Sequence, residues 1–178
     1  MTLALSGSLW ISLDLSGYLS DSLKVLLDPY YRTMVGFSEL TEKDWLAFGH
    51  MFDKRCGRLT GLPKNEVSPV FLQWIDTVYQ VMVQFPTAFE FNEHFLVLLL
   101  DAVYSRWFKS FLCDSEGERR EAKGRSLWDY VLRQGKGTVS NPHFIPPGAF
   151  DSNVRSWSRS FVPVPACDMH MRVNCTCV

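Results

Sequence analysis

The chain has 178 residues, of which 47% are hydrophobic and 14% aromatic, so its composition is that of one domain with a sizeable core and not of a disordered chain. Lysine and arginine total 18 against 19 acidic residues, which excludes a general pull toward nucleic acid or an anionic membrane, and any anion site must be local. The five cysteines are an odd number and form no disulfide framework, which predicts a reducing, cytosolic compartment.

Residues 1–21 are rich in Leu and Ser and predict a poorly ordered leader. No basic residue precedes Lys24, so the stretch lacks the positively charged start of a signal peptide. Asp14 and Asp21 interrupt the apolar run that a membrane span requires. We therefore predict neither a signal peptide nor a transmembrane segment here.

Helix signals dominate the rest of the chain. Residues 22–27 should be the end of a first helix that Asp28-Pro29 stops, because proline disfavours a helical residue before it. Thr41 is the predicted N-cap of a second helix that runs to about Arg55. Its predicted apolar face consists of Trp45, Phe48 and Phe52. A loop should follow at 56–67.

Two longer helices are predicted next, and they should pair as a hairpin of 69–85 and 92–108. Ser68 is the predicted cap of the first, with Pro69 in the first helical position and Pro86 ending it. Asn92 is the predicted cap of the second. The apolar stripes of the two helices are Phe71, Ile75, Val78, Met82 and Phe85, then Phe95, Leu98, Leu99, Ala102 and Val103.

The C-terminal part has weaker signals. The charged stretch 113–125 predicts a solvated loop or a frayed helix, a short helix should run from Ser126 to Gly135, and 145–178 should be an irregular tail. Four soft ligands in that tail could hold zinc, but their spacing fits no common zinc module, so we predict no metal site. These residues are Cys167, His170, Cys175 and Cys177.

Several unusual words occur in unbroken order, namely DPYYRT, FGH, QFP, FEFNEHFL, SLWDYV and NPHF. With these words, residues 22–144 resemble the C-terminal part of the phosphatase domain of the myotubularin family. The resemblance implies an α+β fold of the protein-tyrosine-phosphatase type, of which this segment is the mostly α-helical part. It also implies hydrolysis of the 3-phosphate of phosphatidylinositol 3-phosphate and 3,5-bisphosphate, with no metal or other cofactor and no nucleic-acid partner. The implied location is cytoplasmic, peripheral on endosomal membranes through parts of the protein outside this sequence.

The family's chemistry uses a Cys-x5-Arg loop, in which a thiolate attacks phosphorus while backbone N–H groups and the arginine hold the phosphoryl oxygens. In active members the loop lies just before the helix that ends here at Leu27, yet this chain has no cysteine before Cys56. We therefore predict no catalytic residue in the chain, and the sequence leaves open whether it is an enzyme in its own right. Two functions remain: a phosphatase fragment that is inactive alone, or a non-catalytic pseudophosphatase-type scaffold. The scaffold would bind an active myotubularin or another protein partner through 69–113.

One Cys-x5-Arg does occur, from Cys113 to Arg119. Asp114, Glu116 and Glu118 lie between them and would repel a phosphate dianion and raise the pKa of the thiol. We predict that this motif is not a catalytic loop.

Five other residues follow from the resemblance. In active relatives the word FGHMFDKR carries two basic residues four apart that resemble a clamp for a headgroup phosphate; here Arg55 matches the second, and Met51 stands at the first. Arg55 and His50 are thus the candidates for a weakened headgroup contact, with an ordinary surface arginine as the alternative. Structural roles are predicted for Asp28, Arg32 and Asn92.

Overall fold

The computed structural model describes residues 18–61, 63, 66–133 and 137–146. Within these ranges the chain is mostly helical, and its only β-pairings are two isolated bridges, Phe91 with Ser140 and Phe108 with Arg125. No helix in these ranges has the length and apolar character needed to cross a membrane. The helices, in chain order, are α1 (18–27), a 3-10 helix (Pro29–Arg32), α2 (Met34–Leu40), a π-helix (Thr41–Ala47), α3 (Phe52–Arg55), α4 (Val70–Gln84), α5 (Glu93–Ser105), a 3-10 helix (Lys109–Phe111), α6 (Glu116–Glu121) and α7 (Leu127–Arg133).

Helix α1 ends at residue 27, as Asp28-Pro29 predicts, but it already includes residues 18–21, which the sequence assigned to the leader. Tertiary packing holds this first turn. The Tyr18 hydroxyl is hydrogen-bonded to Thr77 Oγ1 on α4 at 2.6 Å, and the Asp21 side chain is buried. The leader's other residues, 1–17, lie outside the described ranges.

The predicted N-cap at Thr41 is wrong. The N-cap lies eight residues earlier at Thr33, whose Oγ1 accepts a hydrogen bond from the Gly36 N–H at 3.0 Å, and the helix begins at Met34. Thr41 lies inside the helical run and donates its hydroxyl to the Phe37 carbonyl. Gly36 is required here because a Cβ atom would lie 2.1 Å from the Tyr30 carbonyl oxygen. The Thr33 cap is a local signal, three residues from Gly36, that the sequence prediction missed.

The predicted continuous helix to Arg55 is also wrong. The π-helix ends at Ala47, and the chain turns at Gly49, whose φ is +88°, before α3 begins. A π-turn holds more residues than an α-turn, so the spacing from Trp45 to Phe48 no longer brings both onto one face. Trp45 is buried, whereas 84% of the Phe48 side chain is exposed.

Helices α4 and α5 form the predicted hairpin and contact each other. Helix α4 begins at Val70, so the N-cap position falls on Pro69 and not on Ser68, and the helix stops at Gln84, just before Pro86. Its predicted stripe is buried, apart from the partly buried Phe85. Helix α5 begins after Asn92, whose side chain accepts from the Phe95 N–H.

An aromatic cluster joins these helices into one core. Phe37 of α2 stacks on Trp74 of α4, with ring centroids 5.1 Å apart and planes 5° from parallel. Further rings from α4, the π-helix, α3, the bridge residue before α5, α5 and the second 3-10 helix extend this pair into one cluster. They are Trp45, Phe52, Phe71, Phe91, Phe95 and Phe111. Helical spacing predicts Trp45, Trp74 and Trp107 as core; Trp45 and Trp74 are buried, but the prediction is wrong for Trp107, which follows the end of α5 and is 81% exposed.

The C-terminal part packs against this core. The charged stretch 113–125 contains α6, capped by Ser115, and it is less solvated than predicted because Arg119 is buried. Helix α7 begins at Leu127, one residue after the predicted start, while its predicted stop at Gly135 lies outside the described residues. The segment 137–146 runs back along the start of α5, where the Asn92 N–H donates to the Val139 carbonyl. The four candidate zinc ligands lie outside the described part of the chain.

Candidate functional site

Arg55, the stronger headgroup candidate, lies at the end of α3 and is almost completely enclosed. Its side chain is only 1% exposed, and its Nη1 donates to Glu66 Oε2 at 3.2 Å and to the Glu66 carbonyl at 2.9 Å. The guanidinium therefore fastens the loop after α3, and the Glu66 carboxylate already fills one position that a phosphate oxygen would take.

His50, the second candidate, is held in the aromatic cluster. Its ring packs edge-on against Trp45 and Phe52, with centroids 5.0 Å and 4.7 Å away, and the residue is only 6% exposed. Its backbone N–H donates to the Trp45 carbonyl, which closes the turn after the π-helix. The structure thus places His50 and Arg55 at the two ends of one short segment, and both are embedded in the protein.

A second polar cluster lies beside this segment, and the sequence analysis missed it. Arg58 Nη1 donates to Asp53 Oδ1 at 2.9 Å and to the Phe111 carbonyl at 2.7 Å. The other Asp53 oxygen accepts from the Cys113 N–H at 3.1 Å. Asp114 Oδ1 in turn accepts from the Lys54 N–H. No spacing rule could reveal this cluster, because the two segments that form it are more than 50 residues apart.

The Cys113-to-Arg119 motif is tied to this cluster and has the wrong geometry for a phosphate loop. Its first two N–H groups donate to carboxylates, those of Asp53 and Glu118. Arg119 donates to the backbone carbonyls of Cys113 and Leu46. A phosphate loop needs the opposite arrangement, with N–H groups and arginine directed at an anion.

The electrostatics of Cys113 agree with this geometry. Burial raises the pKa of its thiol, and the carboxylates of Asp53, Glu118 and Asp114 raise it further against the opposing effect of Arg119. The predicted direction of this shift is confirmed. The pKa of Cys56 is also raised, chiefly by burial, although the Arg58 guanidinium opposes the shift. Neither thiol has the lowered pKa of a nucleophilic cysteine.

The residues with predicted structural roles lie at helix ends. Asp28 Oδ1 accepts from the Tyr30 N–H at 2.9 Å and caps the first 3-10 helix. Arg32 is buried, and its Nη1 donates to the carbonyls of Val25 and Leu26 at the end of α1. Among the described residues, no three His, Cys, Asp or Glu side chains are grouped so that they could hold a metal ion.

Comparison with known proteins identifies the family. A model of the myotubularin-like phosphatase domain matches residues 13–120, which is more than half of the chain. The chain belongs to the myotubularin family. The helices within residues 13–120 are therefore part of a phosphatase domain of the protein-tyrosine-phosphatase type, and the described part of this myotubularin chain is mostly helical.

Curated myotubularin relatives match over most of this chain. Phosphatidylinositol-3-phosphate phosphatase MTMR7 of Homo sapiens is 50% identical over 124 residues, which cover 67% of this chain and 18% of the relative. Phosphatidylinositol-3,5-bisphosphate 3-phosphatase MTMR2 of Mus musculus is 43% identical over 159 residues, or 81% of this chain and 24% of the relative. The corresponding enzyme MTMR6 of Rattus norvegicus is 50% identical over 150 residues, or 77% and 23%. The chain thus spans about a fifth of the length of these relatives.

Proposed function

We propose that this chain is a segment of a myotubularin phosphatase that acts on phosphatidylinositol 3-phosphate or 3,5-bisphosphate, and that it has no phosphatase activity by itself. The relatives are named for these two lipids, which supports the substrate class. The observation that supports the lack of activity is the environment of Cys113. It belongs to the sole Cys-x5-Arg of this sequence, and its loop N–H groups and Arg119 face protein oxygens.

We assign the headgroup contact to Arg55, with His50 as the residue that positions it. The Arg55 guanidinium pairs with the Glu66 carboxylate, and a phosphate oxygen is the same kind of acceptor. A headgroup phosphate would have to displace Glu66, which gives a physical reason for a weakened contact. His50 supports this role by closing the turn before α3 and packing against Phe52.

The alternative function, a non-catalytic scaffold that binds an active myotubularin or other partner through 69–113, has less support. The apolar faces of α4 and α5 are used within the core, so they offer little surface for a partner. The large apolar side chains of this segment that are exposed are Val83 and Trp107. We place the intact protein in the cytoplasm, peripheral on endosomal membranes through parts outside this sequence.

The proposal is tested by measuring phosphate release from short-chain phosphatidylinositol 3-phosphate and 3,5-bisphosphate. The purified chain is compared with its Cys113→Ser variant and with a full-length active myotubularin as positive control. We expect release by the positive control alone, because no thiol of the described segment lies in an anion cradle. Release by the chain that Cys113→Ser abolishes would overturn the proposal and make the CDSEGER segment a catalytic loop.

A further inference from the structure

The surface just beyond α5 carries a cluster that the function above does not use. We define the basic patch as Arg106, Trp107, Lys109, Lys123 and Arg125. Its two segments are distant in sequence, but the bridge between Phe108 and Arg125 joins them, and the Lys109 N–H donates to the Arg125 carbonyl at 3.1 Å. Gly124 lies against Lys109 with a φ of +150°, a backbone conformation that L side chains rarely adopt.

The charge of the basic patch is unlike that of the chain. Segments 105–109 and 122–126 together contain four basic residues and no acidic one, although the whole chain has a net charge of −1. Within the described residues, none of these four cations forms an ion pair. Their charges therefore add at one place on the surface and are available to an anionic partner.

Trp107 is exposed on the same pair of segments as these cations. Arg106 ends α5 in the left-handed conformation, with φ of +62°, and turns the chain away from the helix axis. Two residues after Arg106, the Phe108 side chain is buried and packs against Tyr130 with ring centroids 5.3 Å apart. Between these two fixed points the Trp107 side chain is 81% exposed.

An exposed tryptophan on the same two bridged segments as four cations without ion pairs matches the boundary between water and a lipid bilayer. Tryptophan is enriched at that boundary because its ring is apolar while its indole N–H can meet the headgroups. Lysine and arginine extend their charged ends to lipid phosphates while their stems lie along apolar surface. Single-stranded nucleic acid is a poorer match, since its binding surfaces stack successive bases on several aromatic rings, and the basic patch has one exposed ring.

We propose that the basic patch docks this chain onto an anionic phospholipid surface, with the Trp107 ring inserted at headgroup level. The contact needs negative surface charge and not a particular phosphoinositide. It therefore stands apart from the headgroup contact assigned to Arg55, and the two can fail independently.

The test is sedimentation of the chain with phosphatidylcholine vesicles, with and without phosphatidylserine and without any phosphoinositide. We expect binding to the phosphatidylserine vesicles only, weakening as salt is raised. Lys109→Gln and Lys123→Gln should each weaken binding about fivefold, the effect of one cation near an anionic surface. Lys43→Gln is the matched control, because Lys43 is an exposed lysine of the π-helix, outside the basic patch.

The aromatic contact is tested separately with Trp107→Ala and Trp107→Phe. The matched control is Phe48→Ala, because Phe48 is equally exposed and lies outside the basic patch. We expect Trp107→Ala to weaken binding several-fold and Phe48→Ala to leave it unchanged, with the same far-ultraviolet circular dichroism for all variants. Brominated lipid should quench tryptophan fluorescence in the bound chain, and Trp107→Phe should remove most of that quenching.

Four results would overturn the proposal. The first is equal binding to vesicles with and without phosphatidylserine, and the second is binding that patch and control variants weaken alike. The third is binding of single-stranded RNA without binding of phosphatidylserine vesicles, which would assign the basic patch to nucleic acid. Binding that requires added phosphatidylinositol 3-phosphate would also contradict it, while supporting the lipid class of the proposed function.

Discussion

A charged cluster of Asp21, Lys24 and Asp44 links α1 to the π-helix, and its buried acid, Asp21, has a raised pKa. Lys24 Nζ lies between the carboxylates of Asp21 and Asp44 and donates to both. Asp21 is only 2% exposed, and burial raises its pKa to about 7, with a further contribution from Asp44 and an opposing one from Lys24. The folded chain therefore binds a proton on Asp21 more tightly than the unfolded chain does.

This proton linkage predicts how stability changes with pH. Asp21 has a higher pKa in the folded state, so its contribution is fully present below about pH 4 and is lost as the pH rises to about 7. We expect the free energy of unfolding to fall across this window, and to fall less in Asp21→Asn, which has no proton to lose. Urea unfolding at about pH 5 and about pH 8 measures the difference. The exposed Asp101→Asn is the control, and parallel pH profiles for wild type and Asp21→Asn would refute the prediction.

The start of α5 is the element on which the segment 137–146 is fastened. Asn92 Oδ1 accepts from the Phe95 N–H and caps the helix. Its Nδ2 donates to the carbonyls of Thr138 and Ser140, at 3.0 Å and 3.1 Å. One side chain thus stabilises a helix end and a distant segment of the chain together.

We therefore expect Asn92→Ala to destabilise the chain by about 2–3 kcal/mol, since it removes a helix cap and leaves two carbonyls without this donor. Ser115→Ala is the matched comparison, because Ser115 caps α6 through its hydroxyl at the Glu118 N–H. Its cost should be about 1 kcal/mol or less at that exposed site. Urea denaturation of both variants measures the difference, and equal costs would mean that the contacts of Asn92 with 138 and 140 contribute nothing.

At the scale of the whole molecule, one face of α1 is incompletely covered by the rest of the described chain. Leu19, Leu23 and Leu27 recur every four residues along α1 and are 56%, 54% and 79% exposed. Such spacing puts the three side chains on one helix face. A contiguous apolar stripe in water favours association.

We expect the isolated chain to be helical but prone to self-association, with an apparent size that grows with protein concentration in sedimentation velocity. Leu23→Lys should lower the association constant at least several-fold, because it places a charge in the centre of the stripe. Val83→Lys, at an apolar residue of similar exposure on α4, is the control and should change little. A concentration-independent monomer with a sharp cooperative melt would contradict this prediction.

Much of the local structure was readable from sequence because its causes are local. The end of α1 at Asp28-Pro29, the start of α5 at Asn92 and the stripes of α4 and α5 follow from proline geometry, side-chain capping and helical periodicity. The resemblance to myotubularins rested on the same kind of information, words of sequence in fixed order, and the family match confirms it. The raised pKa of Cys113 was foreseeable in direction, since carboxylates adjoin it in sequence.

The tertiary structure decided what depends on contacts between distant segments. Tyr18 joins α1 to α4 through its bond with Thr77, and the π-turn moved Phe48 off the buried face. Neither the Asp53–Arg58 cluster nor the basic patch has a sequence signature, because each joins segments that only folding brings together. The sequence by itself determined the family, the end of α1, the start of α5 and the buried stripe of α4, through periodic and local forces. The fold determined which charges are paired and which face solvent, because electrostatic neighbours are set by distance in space.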